Sequence, residues 1–145
     1  MAKLTINPLT GLWNIGDDAA KTAETAAKSS RVVVEYDCDA SLAIHKPVHL
    51  DSGTSNKVLE STLNTNPDLS IGIVISKPTP TTCEVLILGI EEGFSGLSIG
   101  SRQYLGETGG LTEVAPTAGY QQVMGTAVNV DTIFFVPNNM RVFKS

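Results

Sequence analysis

The sequence contains few charged residues and no long apolar run. Charged residues make up 17% of the 145 residues, against about 25% in typical soluble domains. Ten Lys and Arg against fifteen Asp and Glu give a net charge of −5, so the chain lacks the basic surface that binds phosphate backbones. No apolar run approaches the roughly 18 residues of a membrane-spanning helix, and the first residues lack the apolar stretch of a signal peptide. We therefore expect neither a nucleic-acid partner nor a membrane partner.

Cysteine and histidine are also scarce. The only cysteines, Cys38 and Cys83, lie far apart in the sequence, which argues against a disulfide framework and fits a reducing cytoplasm. His45 and His49 have helical spacing, but Pro47 between them disfavours a helix. On a strand the two histidines would lie about 13 Å apart, too far to share an ion. We interpret them as surface histidines and predict no metal and no cofactor.

What the sequence has in quantity is small and β-branched residues. It contains 13 glycines, 12 serines and 15 threonines, and threonine and β-branched aliphatic residues favour strands while glycine favours turns. Many short strands separated by turn clusters predict an all-β sandwich or barrel. The predicted strand segments are 31–37, 46–52, 69–76, 83–89, 102–107, 120–128, 131–137 and 141–145.

The first 30 residues differ from the rest and predict a separate region, 1–30, ahead of a β domain, 31–145. Residues 17–30 carry alanines at helical spacing after Asp17 and Asp18, which predicts one short helix. Pro8, Gly11 and Gly16 break up the preceding residues and predict an extended arm. The large apolar residues of this arm are the candidates for an interface with a partner: Leu4, Ile6, Leu9, Leu12, Trp13 and Ile15.

The β domain contains an internal repeat, with one copy over 46–89 and the other over 102–137. Each copy reads as a hairpin, a loop, a glycine-bearing strand and a further apolar strand. Leu50 corresponds to Leu105 and Gly72 corresponds to Gly125. We therefore predict that the domain is built from two similar β units.

One motif indicates an enzymatic function. Leu50-Asp51-Ser52-Gly53-Thr54-Ser55 resembles the active-site turn of aspartic proteases, in which two carboxylates share one proton and activate a water. With one such motif, a retroviral-type protease of this length would act as a homodimer. Asp and Gly are also favoured in ordinary hairpin turns, and the second repeat copy has Gly106-Glu107-Thr108-Gly109-Gly110 in place of the motif. We therefore predict no catalytic residue and keep the protease as the less favoured alternative.

The order of several short segments resembles a phrase found in structural proteins of tailed bacteriophages, above all the head decoration (cement) proteins. The resemblance covers about residues 46 to 137. The segments that carry it are Val48-His49-Leu50, Ile71-Gly72-Ile73, Val85 to Gly89, Gly96-Leu97 to Gly100, Tyr104-Leu105, Gly109-Gly110-Leu111-Thr112, Ala115 to Tyr120 with Gln122, Gly125 and Ala127, and Thr132-Ile133.

This resemblance implies a non-enzymatic virion protein, commonly a homotrimer, whose partner is the major capsid protein. It implies a location on the capsid surface, reached from the host cytoplasm during assembly. The same phrase occurs on different parts of virions, so a tail-fibre or receptor-binding β module is the alternative.

Overall fold

The computed structural model describes residues 5–6, 13–14, 31–63, 68–117, 119–138 and 142–144, and these residues contain strands and no helix. The prediction of an all-β chain is confirmed, whereas the helix predicted over 17–30 lies outside the described residues. The thirteen strands are β1 (Thr5–Ile6), β2 (Trp13–Asn14), β3 (Val32–Asp37), β4 (Pro47–Leu50), β5 (Val58–Glu60), β6 (Gly72–Thr79), β7 (Thr82–Glu92), β8 (Arg102–Leu105), β9 (Leu111–Thr112), β10 (Gly119–Gln121), β11 (Val123–Ala127), β12 (Thr132–Phe135) and β13 (Val142–Lys144).

The chain divides into two compact units, residues 1–30 and residues 31–145. In the first unit, β1 and β2 form an antiparallel pair. In the second unit, nine strands form one curled antiparallel sheet with the shape of a half-barrel. The order along this sheet is β5-β4-β6-β7-β12-β11-β8-β9, and β3 pairs in addition with β7. Strands β10 and β13 form a separate antiparallel pair.

Eight of the nine strands of this sheet fall into two groups of four with the same connectivity. We call β4, β5, β6 and β7 the first quartet, and β8, β9, β11 and β12 the second quartet. In each quartet a hairpin is followed by a strand that pairs with the first hairpin strand, and then by a strand that pairs with that one. The matched ladder pairs are Val48–Gly72 with Gln103–Gly125, Ile73–Leu86 with Thr126–Phe134, and Val74–Val85 with Ala127–Ile133.

Both quartets need glycine at the same place. A Cβ atom on Gly72 would overlap the backbone oxygen of Leu86, and a Cβ atom on Gly125 would overlap the backbone oxygen of Phe134. Because neighbouring backbones approach this closely, only a residue without a side chain fits either position. The correspondence of Gly72 and Gly125 therefore has a steric cause.

Two apolar cores stabilise the domain. The first contains Val48, Val74, Val85 and the two cysteines, and the second combines residues of both quartets. Each fully buried aliphatic or aromatic side chain contributes about 1.5–3 kcal/mol relative to exposure. The members of the second core are Leu63, Ile73, Leu86, Leu105, Met124, Ile133 and Phe135.

One predicted strand is divided in the structure. The segment 120–128 forms β10 and β11, which end and begin on either side of Gln122. The buried Gln122 side chain accepts a hydrogen bond from the Ser70 N–H at 2.9 Å and donates to the carbonyl oxygens of Ser70 and Asn138. A fully buried amide requires such partners, so this residue crosslinks distant segments instead of continuing a ladder.

The close backbone contact at Gly72 generates a stability prediction. We expect Gly72→Ala and Gly125→Ala each to lower the free energy of unfolding by about 2–3 kcal/mol, because the added methyl group must displace a neighbouring strand. The matched control is Gly53→Ala, whose Cβ would have only an ordinary 3.5 Å contact with Asp51 Oδ1. Urea denaturation of the three variants measures the effect. Unchanged stability of Gly72→Ala would contradict the steric account.

Candidate interaction surface

The segment that joins the two quartets, residues 93–101, is a glycine-rich loop with defined backbone conformation. Gly93, Gly96 and Gly100 have φ values of 98°, 68° and 83°, which side-chain-bearing residues rarely adopt. Their spacing matches no phosphate-binding loop, and in the structure they shape the turns of this connection. The loop begins where β7 ends and leads into β8.

This loop is attached along the turn between β11 and β12. The backbone N–H groups of Phe94, Leu97 and Gly100 donate to the carbonyl oxygens of Asp131, Val130 and Ala127 at 3.1, 3.0 and 2.7 Å. Backbone hydrogen bonds of this kind fix a loop that would otherwise have many conformations. The loop and the turn therefore form one ordered surface.

Glu113, which follows β9, connects a third segment to this surface. Its Oε1 accepts hydrogen bonds from the Ser98 N–H at 2.7 Å, the Ser101 hydroxyl at 2.8 Å and the Gln103 side-chain amide at 3.3 Å. These bonds, that of Ser98 foremost, hold the pKa of Glu113 below its ordinary value of 4.5. An ionised carboxylate accepts stronger hydrogen bonds than a neutral group does, so Glu113 stabilises the loop in its charged form.

Four aliphatic side chains are exposed on the segments that these hydrogen bonds join. Ile99 and Val114 adjoin Ser98 and Glu113 in the chain and are 70% and 74% exposed, while Val128 and Val130 are each about half exposed. We call these four residues the apolar loop cluster. Exposed aliphatic side chains on segments that hydrogen bonds hold in place are typical of protein-binding sites. The sequence offered little signal for this cluster, because its members come from three separate segments.

The interface candidates predicted from the sequence fall in the first unit. Among them, Ile6 and Trp13 are paired as direct partners in the β1–β2 ladder. The others, Leu4, Leu9, Leu12 and Ile15, lie outside the described residues. The role of the six residues in an interface remains a prediction.

The Asp51 motif forms the turn between β4 and β5. Asp51 Oδ1 accepts a hydrogen bond from the Gly53 N–H at 2.8 Å, the arrangement by which aspartate stabilises a turn. This hydrogen bond is the main reason why the pKa of Asp51 lies below its ordinary value of 3.8, with Thr54, Lys57 and His49 contributing in the same direction. The geometry of the single chain therefore fits a turn-forming role for this carboxylate.

The interpretation of both histidines as surface residues is wrong for His49. This residue lies in β4, where β5 and β6 flank it, and it is 2% exposed, with Nδ1 3.3 Å from the Ser61 hydroxyl. His45 lies in a turn with a φ of 66°, and its ring stacks on Phe94 at a centroid distance of 4.3 Å. Across the described ranges, no group of three or more His, Cys, Asp or Glu residues could hold a metal ion.

The two cysteines lie close together in the first core, and both are free. Cys83 is paired with Tyr36, which places Cys38 diagonally across the β3–β7 ladder. Burial, together with a hydrogen bond to Cys38, raises the pKa of the Cys83 thiol to about 12. This thiol therefore stays protonated at physiological pH and has little of the thiolate form that reacts.

Searches against family models, curated proteins and solved structures gave no significant match for this chain. Within the part of the chain that the structure describes, no helix has the length and apolar character needed to cross a membrane.

The hydrogen bonds of Glu113 generate a prediction about loop order. We expect Glu113→Gln to accelerate amide hydrogen exchange at Ser98 several-fold, because a neutral acceptor binds the N–H more weakly. Since the pKa of Glu113 is lowered in the folded state, its contribution is complete above pH 4.5 and is lost as the pH falls through the lower folded value. Wild-type exchange, corrected for its intrinsic pH dependence, should approach that of the variant in acid. Glu107→Gln is the control, and equal protection in wild type and Glu113→Gln would contradict the prediction.

Proposed function

We propose that this chain is a capsid cement (decoration) protein of a tailed bacteriophage. In this proposal it is a non-enzymatic structural protein that assembles as a homotrimer on the capsid surface after synthesis in the host cytoplasm. Its partner is the major capsid protein, whose assembled shell it stabilises. The observation that carries the proposal is the apolar loop cluster, presented by hydrogen-bonded loops on an all-β domain.

The physical demands on a cement protein support this assignment. Such a protein must present a preformed surface, because ordering loops during binding would cost conformational free energy. The contacts of Glu113 and the backbone bonds of residues 93–101 supply this order before any partner is present. A protein that binds only the assembled shell stabilises it by mass action. Because many copies bind at symmetry-related sites, a modest binding free energy per copy adds up over the whole shell.

The first test concerns the apolar loop cluster. We expect Ile99→Asp to weaken binding to shells of the major capsid protein encoded by the same virus by about thirtyfold, which corresponds to about 2 kcal/mol. A charge at a buried interface loses the apolar contact and must be desolvated. Ile44→Asp, at a half-exposed aliphatic residue outside the cluster, is the matched control. Co-sedimentation with shells assembled without this protein measures the occupancy.

Deletion of residues 2–16 in the same assay separates the loop cluster from the predicted arm. A folded deletion variant that no longer decorates shells would assign attachment to the arm, together with the candidates Leu4, Ile6, Leu9, Leu12, Trp13 and Ile15. Full binding by the Ile99→Asp variant would refute the loop cluster as the capsid contact. Absence of shell binding by wild type, with binding to bacterial cells, would favour the receptor-binding alternative.

The turn role of Asp51 generates a second prediction. We expect Asp51→Asn to leave both the stability and the shell occupancy nearly unchanged, because asparagine retains the Oδ1 that accepts the Gly53 hydrogen bond. Asp51→Ala removes this acceptor and should lower the midpoint temperature of unfolding. Thermal unfolding and co-sedimentation measure the two effects. Pepstatin-sensitive peptide cleavage by wild type, lost in Asp51→Asn, would instead establish the protease alternative.

A further inference from the structure

The outward face of the second quartet carries an apolar strip that no part of the described chain covers. Along β12, Ile133 and Phe135 are fully buried in the second core, whereas Phe134 is 40% exposed and Val136, just beyond the strand, is 47% exposed. Side chains alternate between the two faces of a strand. Phe134 and Val136 therefore lie on the face opposite the core.

The strip continues onto β7 and β3. Phe134 is paired with Ile90, which is half-buried, and Val32 is paired with Leu88. Residues directly opposite each other in a ladder share one face. Leu88 and Val32 are 40% and 47% exposed. We call Val32, Leu88, Ile90, Phe134 and Val136 the apolar strip.

The correspondence between the quartets shows what kind of surface covers such a face. The counterpart of Phe134 in the first quartet is Leu86, and the counterpart of Thr126 is Ile73. Leu86 and Ile73 are fully buried, and they pack in the second core with Ile133 and Phe135 of the second quartet. The second quartet thus covers the face of the first quartet that carries Leu86 and Ile73. On the corresponding face of the second quartet, no residue that the structure describes buries Phe134, which is 40% exposed.

The flanks of the strip carry charges of opposite sign. Arg102 on β8 is paired with Thr126, which is itself paired with Phe134, so Arg102 borders the strip on one side. Glu92 lies two residues beyond Ile90 on β7 and is exposed. If copies of the chain surround an axis with their strips inward, the side of the strip that carries Arg102 meets the end that carries Glu92 in the next copy. Opposite charges at these flanks favour closure of such a ring.

From these observations we propose that the apolar strip is the surface through which copies of this chain associate. The occupant is a second copy of the same chain, and Phe134 is the central contact. Arg102 of one copy faces Glu92 of the next. This inference rests on the self-association in the proposed function, but it does not require capsid binding.

The experiment compares the oligomeric state of the full chain and its variants by native mass spectrometry and sedimentation. We expect wild type to be a trimer, and we expect Phe134→Asp and Val136→Asp to be folded monomers whose association is weakened by about thirtyfold or more. Val130→Asp, at a similarly exposed valine outside the strip, should remain a trimer. Circular dichroism verifies that each variant is folded.

Charge reversal gives a test that a folding defect cannot imitate. Arg102→Glu and Glu92→Arg should each weaken association by about tenfold through like-charge contacts, and the double variant should restore it. A monomeric wild type at the highest soluble concentration, or a trimeric Phe134→Asp variant, would overturn the inference. If monomeric Phe134→Asp still decorates shells, capsid binding does not require association through the strip. If wild type is a trimer but fails to decorate shells, the proposal for the strip is supported and the proposed capsid function is refuted.

Discussion

The antiparallel ladder between β7 and β12 joins the two quartets into one sheet, and most features of the domain depend on it. Its four pairs run from Gly89–Phe135 to Glu92–Thr132. Beyond the last pair, the Phe94 N–H donates to the Asp131 carbonyl oxygen and continues the association into the connecting loop. This ladder therefore positions both the second core and the loop that presents Ile99. A shift of one residue would exchange the faces of β12 and expose Ile133 and Phe135.

The two quartets share their hydrogen-bonding pattern but differ in what covers them. In the first quartet, Val85 lies in the first core and Leu86 in the second, so both faces of the sheet are packed. In the second quartet, Ile133 is buried and Phe134 is exposed. Duplicated ladders thus give surfaces with different chemistry. We propose the open face for self-association and the connecting loops for the contact with the capsid.

Both proposed surfaces are apolar, and they are stabilised by different means. The strip lies on strands, whose ladders hold it without further support. The loop cluster has no such ladder and depends on Glu113, on the positive-φ glycines and on backbone bonds to the neighbouring turn. Preorganisation by either means lowers the cost of binding. The order of the loop cluster is sensitive to acid, because it depends on the ionised Glu113 carboxylate.

The sequence by itself determined the all-β class, the positions of most strands and the alternation of side chains along them. Composition, turn residues and period-two patterns act locally, so they are readable along the chain. The spacing of Gly72 and Gly125 could also be read, because glycine at a close backbone approach has no substitute. Tertiary structure alone decided that Leu86 is buried while Phe134 is exposed, and that His49 is buried beside Ser61. It alone joined the separate segments that carry Ile99, Val114, Val128 and Val130. Alternation along a strand indicates which residues share a face. The residues that cover that face come from distant parts of the chain, so no local pattern in the sequence identifies them.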